Sequence, residues 1–326
     1  MTNHDSRPLR FGPHDVFPLA LGCMGMSGMY GASDEDESVA TIHAAIDRGV
    51  NLLDTGDFYG TGHNELLLGR ALRGRRDRVL LSVKFGALRG PDGSFLGQDC
   101  RPAAIKNSLA HTLTRLGTDH VDLWQVHGFD PAVPFEETCT ALRTAVDSGR
   151  TRYLGVSGVS GWQLATLAGP LQAAVPGSAL VSVEAEYSLL ERAPEQSVLP
   201  AAAVHGAGLL AWAALGRGVL TGKYRHGTPA DSRGASPQFT RYVGRYRTER
   251  SARIVEAVVT AADGLGTSPL AVACAWVRDR TGVASVVIGA RDRAQLLGSL
   301  AAEEITLPAE IRSALDDVSA GSGEPQ

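Results

Sequence analysis

The sequence predicts a parallel (β/α)8 barrel, the TIM-barrel architecture. Three observations predict it: eight strand-length apolar runs, amphipathic segments between them, and no dinucleotide-fold glycine signature after an early run. The runs are 18–23, 50–54, 79–84, 121–127, 153–157, 181–186, 208–213 and 284–289. Each is rich in Val, Leu or Ile, as strands covered on both faces are. The rival is a doubly wound sheet, which would carry Gly-x-Gly-x-x-Gly directly after an early strand. Gly22, Gly25 and Gly28 do not have that spacing.

The helices between the runs follow from stripes and stop signals. Segment 37–48 sets Val39, Ile42, Ala45 and Ile46 on one face. Asn64 is placed to cap 65–72. Segment 101–116 stops at Gly117, and 134–148 stops at Gly149. Segments 251–262 and 269–278 are the clearest late helices. No composition shift marks a boundary, so residues 1–326 read as a single barrel domain, with 319–326 as a fraying tail. One connection, 222–251, is long and lacks periodicity. The window 217–250 holds eight basic residues (Arg217, Lys223, Arg225, Arg233, Arg241, Arg245, Arg247, Arg250) against Asp231 and Glu249, a net +6 that leaves −10 for the rest. It reads either as a solvated loop or as a lid over an anionic ligand.

Composition narrows the class of protein. The chain has 326 residues, 44% hydrophobic and 20% charged, with a net charge of −4. That is enough apolar chain for a large core and too little basic charge for a general nucleic-acid binder. Cys23, Cys100, Cys139 and Cys274 are far apart, with no metal-ligand spacing, and read as buried reduced thiols. No metal is expected. No signal-peptide core and no span of about 18 uncharged apolar residues occurs, so no membrane association is expected and the location reads as cytoplasmic.

The informative residues are polar ones at the ends of runs. The second run ends Leu52-Leu53-Asp54, with Tyr59 five residues on. The third ends Ser82-Val83-Lys84 and the fourth Gln125-Val126-His127. In a parallel barrel these ends share the C-terminal rim, where barrel enzymes place their chemistry. Singly, Asp54 reads as a turn cap, Lys84 as a solvated lysine and His127 as a core histidine. Together they suit proton transfer to a carbonyl oxygen. A lysine ammonium roughly 4 Å from a phenol, at an effective dielectric of about 20, favours the phenolate by about 4 kcal/mol. That is about three pKa units, less what a neighbouring carboxylate cancels. Tyr59 then serves as general acid, Asp54 holds Lys84 charged, and His127 orients the substrate oxygen. None of these groups supplies a hydride, so a cofactor must.

These residues belong to a larger pattern. Leu21-Gly22-Cys23-Met24-Gly25-Met26, Asn51 to Gly60 with its Asp-x4-Tyr, Asn64-Glu65, Leu68-Gly69, Gly155-Val156-Ser157, Glu186 to Arg192, and Leu215-Gly216-Arg217-Gly218-Val219-Leu220-Thr221-Gly222-Lys223 resemble the aldo-keto reductase superfamily over nearly the whole chain. The Gly-Cys-Met-Gly opening looks most like the branch of plant and fungal aldehyde, pyridoxal and alkaloid reductases. The resemblance implies a (β/α)8 barrel, a tetrad of Asp54, Tyr59, Lys84 and His127, and NADP(H) bound extended, without a Rossmann domain.

Cofactor positions carry over one at a time. The resemblance puts Gly22, Met24 and Asp54 beside the cofactor and Ser157 at the nicotinamide carboxamide. Gly158 stands where the family usually has asparagine, which removes an amide donor. Glu184 stands for the usual glutamine: an acid there accepts from the carboxamide but does not donate to it, and, if ionised, favours the cationic oxidised ring. Trp212 takes the place of an aromatic that stacks on the nicotinamide. Ala213, Leu215, Gly216, Arg217 and Gly218 would cradle the pyrophosphate, with Lys223 closing the block. Gly289 and Arg291 resemble the stretch that holds the adenosine 2′-phosphate, Gln295 matches an adenine contact, and Ser299 replaces an asparagine there.

The reading is an NADPH-dependent reductase of a small-molecule aldehyde or ketone. The alternatives are a redox-neutral or dehydrogenase reaction on the same barrel, which Gly158 and Glu184 keep open, and a nicotinamide-sensing regulatory subunit. Substrate choice falls to the loops 85–99, 128–134 and 223–250, with Phe85, Phe95, Phe129, Tyr224, Phe239 and Tyr242 as candidate pocket aromatics. The oligomeric state is not legible.

Overall fold

The eight apolar runs form one closed parallel sheet. The computed structural model describes residues 10–11, 14–29, 31, 33–90, 94–174, 180–230, 232–236 and 239–320. Its barrel strands are β1 (Leu19–Gly22), β2 (Leu52–Gly56), β3 (Leu80–Phe85), β4 (Val121–His127), β5 (Thr151–Ser157), β6 (Leu180–Glu186), β7 (Gly208–Trp212) and β8 (Val283–Gly289). They follow one another around the ring in chain order, and β8 pairs back onto β1, Val286 opposite Leu19. Every strand lies within two residues of its predicted run.

Side chains alternate across a strand with a period of two, and that period builds the interior in layers. Leu52, Leu80, Leu123, Tyr153, Leu210 and Ala284 pack together inside the N-terminal half of the ring. Their neighbours Leu53, Leu81, Trp124, Leu154 and Leu209 face outward into the helix layer. The next inward positions are Asp54, Ser82, Gln125 and Gly155, followed by Lys84, His127 and Ser157. The lower interior is therefore hydrocarbon, and the upper interior is polar. Gly155 has to be bare, because a Cβ there would lie 2.4 Å from Ser182 Oγ and 2.8 Å from Gln125 Oε1.

The helices are α1 (Glu35–Asp47), α2 (His63–Ala71), α3 (Pro102–Leu116), α4 (Phe135–Asp147), α5 (Gly161–Ala174), α6 (Val198–His205), α7 (Thr240–Gly244), α8 (Glu249–Leu265), α9 (Pro269–Arg278), α10 (Arg293–Leu300) and α11 (Ala309–Ser319). Their ends follow capping chemistry. Asp34 accepts from the Glu37 amide at the start of α1, and Gly117 closes α3 at φ +65°. One expectation fails: α2 starts at His63 after Gly62, and Asn64 is not its cap. Asn64 is fully buried and bonds backwards, to Thr55 Oγ1, the Cys23 carbonyl and Ser27 Oγ. The C-terminal helix α11 is tied to the barrel by side chains. Asp316 takes Trp276 Nε1 at 3.0 Å and the Arg280 guanidinium, while Arg192 and Arg250 bond to Ser319. Helix α11 runs through Ser319; of the expected frayed tail, 321–326 lie outside the described residues.

Two hairpins flank the ring. Arg10–Phe11 with His14–Asp15 precedes β1, and Ala87–Arg89 with Phe95–Gln98 follows β3 on the C-terminal side. All four cysteines are buried and free. No single helix among the described residues is long and apolar enough to cross a membrane.

Candidate active site

The alternation along β2, β3 and β4 turns Asp54, Lys84 and His127 into the upper interior of the barrel. Lys84 Nζ donates to Asp54 Oδ2 at 2.5 Å, and both side chains are almost wholly buried. Ser82 donates to the other Asp54 oxygen at 2.9 Å. Gln125 Nε2 donates to Ser82 Oγ at 2.8 Å and to Glu184 Oε2 at 2.9 Å, and Ser182 donates to Gln125 Oε1 at 3.2 Å. Glu184 Oε2 is also 3.1 Å from Lys84 Nζ. This network crosses the barrel from β2 to β6 and satisfies the buried polar atoms that hold the lysine. Burial alone would strip the proton from Lys84, but Asp54, then Glu184 and Tyr59, hold its pKa well above the ordinary lysine range.

Tyr59 arrives from the loop after β2. Its ring is buried, and Lys84 Nζ lies 5.4 Å from the ring centroid. Phe58 packs edge-on to Tyr59 at 5.0 Å and tilts against the His127 ring at 5.3 Å, so one phenyl sets the spacing of both. Gly56 makes room, since a Cβ there would come within 3.3 Å of Phe58 and 3.4 Å of Tyr59. Beyond Tyr59 the chain turns through Gly60, Thr61 and Gly62 at φ +56°, +54° and +90°. A threonine in the left-handed region is strained, and the buried Asn64 contacts hold the turn in place.

His127 Nδ1 is 3.2 Å from Ser157 Oγ. Burial, with Lys84 and Arg89 nearby, lowers its pKa to about 4, so the imidazole is neutral around pH 7. Arg89, on the rim hairpin, stacks over Phe58 at 5.7 Å and Phe95 at 5.3 Å. Leu88, Phe95, Leu96 and Trp162 are exposed, and Trp162 meets Phe129 edge-on at 6.1 Å.

The residues expected at the cofactor have these positions. Gly22 pairs with both Asp54 and Gly289 in the sheet, and Met24 packs on Phe58 and Tyr59. Gly158, at φ +66°, donates its amide to the Glu184 carbonyl. Trp212 ends β7, opposite Glu186 of β6. Ala213, Gly216, Arg217 and Gly218 all have positive φ, between +53° and +93°. A Cβ at Gly216 would come within 2.5 Å of Leu190, and one at Gly218 within 3.3 Å of Lys223 Nζ. That turn therefore presents bare backbone beside an ammonium, which suits a diphosphate.

Arg217 is already engaged. It forms a bidentate pair with Glu186 at 2.9 and 2.6 Å, donates to the Tyr242 carbonyl, and stacks on the Tyr242 ring at 3.8 Å. Part of the basic stretch behaves likewise. Arg225 pairs with Glu256, Arg245 with Glu191, and Arg247 with Thr228. Arg217, Arg225 and Arg245 thus pair with acids outside the stretch, which offsets half of its net +6. Arg291, by contrast, is exposed after β8 with no side-chain partner among the described residues. Gln295 Oε1 accepts from the Arg291 amide. Ser299 is buried and bonds the Gln295 carbonyl.

Sequence reasoning did not single out Phe58, Ser82, Gln125 or Ser182. The period of two was the available signal: Gln125 and Ser82 share the inward parity of His127 and Lys84. Nor did it single out Asp57, whose carboxyl accepts from Ser108 at 2.5 Å and is pushed up to about 7 by burial.

Comparison with known proteins agrees with this geometry. The Aldo/keto reductase family pattern matches residues 18–320. The chain is 35% identical to aldo-keto reductase YhdN of Bacillus subtilis over 284 residues, 85% of this chain and 82% of that protein. It is 34% identical to aldo-keto reductase yakc [NADP(+)] of Schizosaccharomyces pombe over 279 residues, 83% and 79% of the two. The solved structure of the glycerol dehydrogenase AKR11B4 from Gluconobacter oxydans superposes with a TM-score of 0.81 at 31% identity, covering 95% of this chain and 94% of that one. The barrel, the polar upper interior and these relatives together establish that the chain belongs to the aldo/keto reductase family of oxidoreductases.

Proposed function

We propose that this oxidoreductase uses NADPH to reduce a small-molecule aldehyde or ketone to the alcohol, with Tyr59 as the proton donor. The observation that carries the reading is the buried Lys84–Asp54 pair at 2.5 Å, set against the Tyr59 ring and beside a neutral His127. A bound reduced nicotinamide supplies the hydride to the carbonyl carbon. Tyr59 gives its hydroxyl proton to the carbonyl oxygen, and the Lys84 ammonium steadies the phenolate that remains. Asp54, backed by Ser82, fixes the ammonium in place. Ser157, donating to His127 Nδ1, leaves Nε2–H to hydrogen-bond the same carbonyl oxygen.

The residues fit the cofactor along one path. Met24, Ser157 and Trp212 line the nicotinamide end, the left-handed turn 213–218 with Lys223 takes the diphosphate, and Arg291 takes the 2′-phosphate. Arg217 serves by holding that turn to Glu186. The exposed rim of Leu88, Phe95, Leu96 and Trp162 favours a substrate with an apolar body. A second reading, oxidation of a small alcohol by the same groups run backwards, is favoured by the likeness to a glycerol dehydrogenase.

The test is purified protein with NADPH and a panel of activated aldehydes, followed by loss of the reduced cofactor's absorbance. Tyr59→Phe is expected to lower kcat about 10²–10⁴-fold while cofactor affinity stays within threefold. A wild-type protein that binds NADPH but turns over no carbonyl or alcohol would defeat the reading.

A further inference from the structure

Lys84 has two carboxylate partners. Asp54 Oδ2 is 2.5 Å from its ammonium and Glu184 Oε2 is 3.1 Å away, both acids being 3% exposed. With an amide at position 184, the Lys84–Asp54 pair would sum to zero. With a carboxylate, the buried group carries one negative charge in excess. The nearest further cation, Arg89, sits on the rim hairpin stacked on Phe58 and Phe95, and the charges that act on Glu184 are those of Asp54 and Lys84. Cys23, after β1, is a thiol whose pKa burial pushes far up, His127 of β4 is neutral, Tyr59 of the β2 loop is a phenol, and Gln125 and Ser182 are uncharged. Glu186, also on β6, is already balanced by Arg217.

We propose that Glu184 sets the charge of the site through Lys84, and that it makes the protein prefer the oxidised, cationic nicotinamide over the reduced form. The inference rests on the nicotinamide reading above. Oxidation adds one positive charge to the ring, and a negative charge held in the buried barrel interior stabilises that form selectively. Two features support a pH-dependent preference. Glu184 titrates near neutrality, at about 7, because burial and then Asp54 raise it while Lys84 and Gln125 oppose them. Lys84 stays cationic over that range, so the change in charge belongs to the acid. The preference therefore strengthens as pH rises through neutrality.

The measurement is the ratio of Kd values for NADP+ and NADPH, read by quenching of tryptophan fluorescence. In the wild-type protein the ratio should shift toward NADP+ by about tenfold, equivalent to about 1.4 kcal/mol, between acid and alkaline pH. In Glu184→Gln that dependence should vanish and the ratio should stay at its acid-pH value, while Glu184→Asp keeps the wild-type direction. If Glu184→Gln fails to fold, the wild-type titration decides alone, and a ratio flat with pH overturns the proposal. A folded Glu184→Gln whose ratio still tracks pH overturns it as well. If neither nicotinamide form binds the wild-type protein, the functional reading itself falls, an outcome distinct from equal binding of both forms.

Discussion

Glu186 and Arg217 form a bidentate ion pair, 2.9 and 2.6 Å long and about nine-tenths buried, that joins the end of β6 to the strained turn after β7. Removing one member leaves a charge in a place built for two. Arg217→Met should cost about 3 kcal/mol of stability and loosen cofactor binding. Arg217→Lys should recover only part of both, since an ammonium lacks the planar fork. Urea midpoints of the two variants and of Glu186→Gln/Arg217→Met check this: the double variant should lose less than the sum of the single losses.

Asp57 predicts a fall in stability as pH rises. Its pKa is raised from 3.8 to about 7, chiefly by burial. The folded state therefore holds a proton that the unfolded chain has released, and stability drops between those two pH values. Asp57→Asn should be the more stable protein at pH 8, by at most about 4 kcal/mol, and should lose that advantage below pH 4. Melting curves at the two pH values settle it.

His127 contributes with the opposite sign. Its pKa falls from 6.5 to about 4 through burial, Lys84 and Arg89. The unfolded chain binds the proton first, so this stability is present above 6.5 and is lost as pH drops toward 4. Within that window His127→Gln should melt with less dependence on pH than the wild type. In kinetics, His127 itself should add no limb to the pH profile of kcat near 6.5, so any change near neutrality should persist in His127→Gln and disappear in Glu184→Gln.

Gly155→Ala should damage the network that holds Lys84. The new methyl would sit 2.4 Å from Ser182 Oγ and 2.8 Å from Gln125 Oε1. We expect a loss of about 1–3 kcal/mol and a lower kcat. Adding Ser182→Gly removes the nearer clash and should restore part of the stability, which thermal melts of the pair would reveal.

Gly158→Asn should be tolerated and should improve cofactor affinity. Its φ of +66° is one that asparagine accepts, and a Cβ there meets the His127 ring no closer than 3.5 Å. The added amide supplies a donor that glycine lacks. A cofactor Kd up to about tenfold lower, with melting temperature almost unchanged, is the expected result.

The barrel and the Asp54–Lys84–His127 grouping were legible because eight apolar runs alternating with amphipathic segments leave few other architectures, and the rim then follows. Helices α5 and α6 were hidden: Pro170 falls inside α5 and Pro200 in the first turn of α6, and both segments are apolar on most sides, so no stripe stands out. Asn64 misled because an asparagine ahead of an apolar segment looks the same whether it bonds forward to an amide or back to Thr55. The charge surplus of the long loop overstated its freedom, because partners such as Glu256 and Glu191 are distant in sequence. Glu184 was visible as a departure from the family, but its bond to Lys84 depends on the register across the ring, which no local pattern encodes.

The pairing of Val286 with Leu19 has a consequence for biosynthesis. A nascent chain exposes the open edge of its first strand until the eighth has left the ribosome, more than 260 residues later. The seam is thus the last join made during translation, and Asp54, Tyr59, Lys84 and His127, all on the first half of the chain, wait for a segment that supplies none of them. A chain truncated before β8 would carry all four of these residues and still lack a closed ring to hold them.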